Sequence, residues 1–121
     1  MKTFVIVLVT IMSIIGCTGT KKEMSRSVNV IAEDYVRLVL DVGQYNSDFV
    51  DAYYCPEFLK PSGVTKEKGF PSERFLQTTK ALQDELNSIS KSSLPGDQKV
   101  RVNMLNKQLL AVYTKIEIIA G

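Results

Sequence analysis

The chain predicts an all-α fold: three main helices plus a short one, with a helical hairpin packed against an N-terminal helix. Two observations carry that expectation. Apolar residues recur in steps of three and four along three separate stretches, the period of one helix face. Proline, glycine and serine cluster between those stretches, where the chain has to turn. The composition, 45% hydrophobic and 23% charged, is that of an ordinary folded domain and argues against disorder.

The first helix is expected over Val28–Val42. Val28, Ile31, Tyr35, Leu38 and Val42 fall on one face, and Val36 and Val39 widen it. Ser27 or Ser25 can cap its start. Glu33 and Asp34 sit near the positive end of its dipole. Gly43 is placed where a left-handed residue would end it.

Gln44–Ser47 reads as a turn, and a short helix is expected over about Asp48–Tyr54, ended by Pro56. Glu57–Pro71, broken by Pro61, Gly63 and Gly69 and kept wet by lysines, reads as an irregular surface loop.

The second long helix is expected over Ser72–Ser90, capped by Ser72, with Phe75, Thr79, Leu82, Leu86 and Ile89 on its buried face. After Leu94-Pro95-Gly96, Asp97 should cap a third helix over Gln98–Ala120. Its stripe is Val102, Leu105, Leu109, Val112, Ile116 and Ile119, and Gly121 would follow its end. A short turn between the last two helices makes them an antiparallel hairpin, and the 3-4 spacing favours crossing angles of about 20°.

The start of the chain follows a different logic. Lys2 precedes an apolar run, Phe4–Ile15, interrupted only by Thr10 and Ser13. Twelve residues make a helix of about 18 Å, short of the ~30 Å of a bilayer core. The run fits the apolar region of an export signal. It closes on Ile14-Ile15-Gly16-Cys17, which resembles a bacterial lipobox, with small Gly16 before the cut and Cys17 as the lipid-bearing thiol.

That resemblance implies three regions: 1–16 as a cleavable signal peptide, 17–27 as the lipidated cysteine and a polar tether, and 28–121 as a small helical domain. It implies a bacterial cell-envelope lipoprotein held at a membrane through its N-terminal lipid. Thr18, in place of an aspartate, leans towards the outer membrane where two membranes exist.

Little else in the sequence points to chemistry. The formal charge is +2 for the whole chain, and +1 once Lys2 leaves with the leader, so nucleic acid is not an expected partner. Of the two cysteines, Cys55 has no partner left for a disulfide if Cys17 is lipidated, and it reads as a small buried hydrophobe. Histidine is absent, which removes the commonest general base and zinc ligand. No HExxH, glycine-rich phosphate loop, CxxC pair or nucleophile elbow occurs. Neither a catalytic residue nor a cofactor is therefore expected.

Two clusters remain as candidates. Asp41, Asp48, Asp51 and Glu57 flank two turns, and Asp48 and Asp51 would share a face of the short helix. They lack the ligand count of a dedicated calcium site. Tyr53 and Tyr54, with Asp51 beside them, can line a ligand groove or plug one end of the core, a hydroxyl reaching a backbone partner.

Ala32–Pro61 also resembles the N-terminal segment of a group of large, mostly helical secreted bacterial proteins related to zinc metallopeptidases. Tyr35-Val36-Arg37-Leu38, Val50-Asp51-Ala52-Tyr53-Tyr54 and Pro56 carry the likeness, and Gln108–Gly121 is similar as well. Cys55 stands where those proteins would have glycine. Their zinc-binding HExxH helix lies further downstream, so none of their ligands or catalytic residues maps onto this chain. The resemblance implies a partial copy with an exposed apolar stripe on the last helix. Three functional expectations follow: a non-catalytic interaction module or truncated N-terminal domain, the fragment of a peptidase-like metalloenzyme, or a small-ligand binding protein.

Overall fold

The computed structural model describes residues 26–54, 56–61 and 69–121. Three helices make up the fold: α1 (Val28–Gly43), α2 (Ser72–Ser88) and α3 (Gly96–Ala120). Three single 3-10 turns, Ser47–Phe49, Glu57–Leu59 and Lys91–Ser93, complete the regular structure, with no strand among the described residues. The protein is all-α, and α2 and α3 form the hairpin that α1 packs against.

Side-chain pairs fix the directions. Near the start of α1, Asn29 accepts a hydrogen bond from Arg101 of α3, and Arg26 reaches Glu85 of α2 at 2.9 Å. Asn106 donates to Asn87 across the hairpin at 3.2 Å. At the other end, Tyr45 meets Phe75 edge-on at 5.8 Å, just beyond α1 and inside the first turn of α2. The helices therefore run up, down and up, with α1 antiparallel to α2 and parallel to α3.

The core is built from the three stripes. Val28, Ile31, Leu38 and Val42 of α1 are buried, with Phe75, Leu82 and Leu86 of α2. Val102, Leu105, Leu109, Val112 and Ile116 of α3 close it. Each such side chain contributes about 1.5–3 kcal/mol when fully buried. Tyr35, Ile89 and Ile119, expected on the same stripes, are only half-buried. Thr79 is fully buried yet satisfied, because its hydroxyl donates to the Phe75 carbonyl one turn back at 2.7 Å. Phe70 joins Tyr45 and Phe75 in a three-ring cluster that seals the end of the core opposite the hairpin turn.

Several boundaries differ from expectation. Ser27 does cap α1, its hydroxyl accepting from the Val30 amide. Gly43 does not end it in a left-handed conformation; it is the last helical residue, and Gln44 follows in right-handed geometry. The reason for glycine there is space: a Cβ would lie 3.2 Å from Cγ2 of Val50.

No short helix spans Asp48–Tyr54. A single 3-10 turn ends at Phe49, and Val50 is already extended at φ −137°, ψ 110°. Asn46 stops α1 from continuing, since its side chain accepts the Asp48 amide and redirects the chain.

α2 ends at Ser88 rather than Ser90, and Pro71, not Ser72, occupies its cap position. α3 begins at Gly96, with Asp97 in its first turn rather than capping it. The loop after Pro56 is less irregular than expected, because Glu57–Leu59 turns once and buries Leu59.

Candidate functional site

The three candidate residues Asp51, Tyr53 and Tyr54 fall on the extended segment that runs back across the C-terminal end of α1. Gly43 lets this strand-like backbone approach closely, with Val50 against the helix. Between the two lies an open cleft of about 380 Å³, walled by Leu40 and Gly43 on one side and by Val50, Asp51 and Tyr53 on the other, with Lys60 at its rim.

Asp51 and Tyr53 thus share one cleft, but Tyr54 does not. Tyr54 is 88% exposed and does not line it. The Tyr53 hydroxyl donates to the Pro56 carbonyl at 2.8 Å, a local tie to the backbone. The expected plugging of the core by this aromatic run is not what the chain does. Tyr54 and Phe58 are both exposed; Leu59 is the residue buried here, beside Ala32 and Val36 of α1 and outside the main core cluster. Phe58 lies instead under Arg37 of α1, 5.8 Å from guanidinium to ring centroid. Arg37 also donates to the Phe58 carbonyl at 3.0 Å, so one α1 side chain pins the turn that delivers Leu59.

The acidic cluster is dispersed. Asp48 and Asp51 were expected on one face of a short helix, but with no helix between them they line different grooves. Asp51 borders the cleft just described. Asp48 lies with Tyr35, Phe49 and Lys115 in a second groove, of about 260 Å³, between α1 and α3. Asp41 stays on α1, accepting a hydrogen bond from Gln44 at 3.3 Å. Partial burial raises its carboxyl above the ordinary range, opposed by the nearby Arg74 charge and that hydrogen bond. Glu57 pairs with Lys60 at 2.8 Å. Among the described residues, no group of three acids, cysteines or histidines is close enough to hold a metal ion.

The cleft therefore offers one carboxylate, an ammonium group already paired with Glu57 and a phenol already engaged with backbone, around an aliphatic floor. Such a set can orient a small polar molecule by hydrogen bonds and charge. Sequence reasoning missed Lys60 and Gly43 as parts of it; the close approach of Val50 to a glycine is a contact without periodic signature. Gly16, Cys17 and Cys55 lie outside the described residues. No helix among the described residues is long and apolar enough to cross a membrane. No protein-family model, curated protein or solved structure matches the chain.

Proposed function

We propose that the chain is a lipoprotein of the bacterial cell envelope, tethered through Cys17, whose helical domain serves as a non-catalytic interaction module. One observation carries this reading: a cation, a 12-residue apolar run and Ile14-Ile15-Gly16-Cys17 in immediate succession. The absence of histidine from the whole sequence supports the non-catalytic part. Eight residues, 18–25, separate Cys17 from Arg26, a contour of at most about 32 Å. A lipid on Cys17 thereby keeps the bundle next to the bilayer.

The test is metabolic labelling with a fatty acid, followed by fractionation. The wild-type chain should carry label and sediment with membranes; Cys17→Ser should lose the label and become soluble. Unlabelled wild-type protein would refute the tether. A second reading, small-ligand binding, is favoured by the cleft that holds Asp51 and Tyr53. It predicts ligand-dependent thermal stabilisation that Asp51→Ala diminishes.

A further inference from the structure

α3 has two apolar faces. The inner one fills the core. On the outer one, Val100, Met104, Leu110 and Ile118 are 57–68% exposed. At 100° per residue, Val100, Met104, Ala111 and Ile118 lie within an arc of about 40°, and Leu110 lies about 80° from its edge. The stripe runs most of a 25-residue helix, about 37 Å long.

Charge follows the same helix. α1 carries a formal charge of −2 and α2 of −1, whereas α3 carries +2. Lys107 and Lys115 flank the outer stripe, each about 20° from its edge, and Asp97 flanks its N-terminal end. Among the described residues neither lysine has an acid within ion-pair distance, and Lys115 shares the α1–α3 groove with Asp48.

An aliphatic stripe flanked by lysines is complementary to an anionic lipid surface: the aliphatic side chains enter the headgroup boundary while the ammonium groups reach outward to phosphate. A second copy of the chain fits less well. Laid antiparallel about Ala111, the copy would set its Ile118 on Met104 but its Lys115 on Lys107. Laid parallel, it would set each lysine against its own counterpart. Like charges facing each other at an interface cost several kcal/mol.

We propose that the outer face of α3 is a bilayer-contact surface selective for anionic lipid, on which the tethered domain lies down. The proposal rests on the lipoprotein reading for proximity alone. The start of α1, where the tether joins, shares a cleft with Gln98 of α3, so the contour of residues 18–25 brings this helix within reach of the membrane.

The chain contains no tryptophan, which makes Met104→Trp a sole fluorescent reporter of the stripe and Lys80→Trp a control on the exposed side of α2. The full chain, expressed with its own leader, is bound to vesicles of phosphatidylcholine alone or mixed equally with phosphatidylglycerol, with and without brominated lipid. The reporter at 104 should shift to the blue and be quenched only on the mixed vesicles, with no change for the control. Replacing Lys107 and Lys115 by glutamine should lower the ratio of engaged to free face about fivefold per lysine.

A position-104 reporter that stays in water on mixed vesicles overturns the proposal. So does a blue shift that grows with protein concentration without vesicles, which would mark contact between chains or with another protein. Flotation with phosphatidylcholine vesicles, compared with Cys17→Ser, reads the tether separately. Its failure, with the position-104 signal intact on mixed vesicles, would remove the lipid anchor and leave the surface standing.

Discussion

Gly43 shows how much a single hydrogen atom decides. Its backbone is helical, so alanine would ordinarily gain up to about 1 kcal/mol there. The gain is opposed by Val50, whose Cγ2 would sit 3.2 Å from the new Cβ. We predict that Gly43→Ala stabilises the protein more in a Val50→Ala background than in the wild type. A double-mutant cycle by denaturant unfolding should give a coupling of about 0.5 kcal/mol or more; additive effects would mean that Val50 moves aside freely.

Asp41 makes a pH prediction. Its folded-state carboxyl is raised above the ordinary 3.8 by burial. The folded state therefore holds that proton more tightly than the unfolded state. The stability linked to this proton is fully present below pH 3.8 and is lost as pH rises through the folded value. Asp41→Asn should accordingly raise stability at neutral pH, with the gain disappearing in acid, as read by chemical denaturation near pH 3 and pH 7. A loss at neutral pH would show that the Gln44 and Arg74 interactions outweigh burial.

At the scale of elements, the helices that repeat the 3-4 pattern over four or more turns were legible, and the one-turn segments were not. Phe75, Thr79, Leu82 and Leu86 marked the inner face of α2 in advance because only a helix brings that spacing onto one side. The segment 48–54 offered Phe49, Val50, Ala52 and Tyr53, too few residues to outweigh the cost of nucleating a helix. The Asn46 side chain then took the Asp48 amide. Leu59 gave no warning, since a lone leucine between two prolines has no period to reveal it.

The cap of α1 was legible because Ser27 precedes the stripe. Its hydrogen bond to the Val30 amide is long, 3.4 Å. Ser27→Ala should therefore cost near the low end of the usual range, about 0.5 kcal/mol, measurable as a small drop in melting temperature. A cost of 2 kcal/mol or more would mean that the hydroxyl does more than cap.

For the whole molecule, Leu109 is the most direct probe of the packing. It is fully buried on α3, which packs against both α1 and α2. Leu109→Ala should cost about 2–5 kcal/mol. Leu109→Asp should abolish cooperative melting, because it leaves a charge without a partner in the core. Intact helicity and melting in the aspartate variant would contradict the fold.

The candidate site was legible only in part. Asp51 and Tyr53 do meet at a cleft, but the helix expected to align Asp51 with Asp48 is absent, and Tyr54 faces solvent. Backbone direction after Asn46 decides all three placements, and residue type does not encode it.

Residues 1–17 remain the stretch from which the proposed function proceeds. Intact mass spectrometry of the protein extracted from membranes tests it most directly. The account predicts a chain that begins at Cys17 and is heavier than its sequence by a thioether-linked diacylglycerol. A chain that retains residues 1–16, or one that carries an unmodified Cys17, would contradict it.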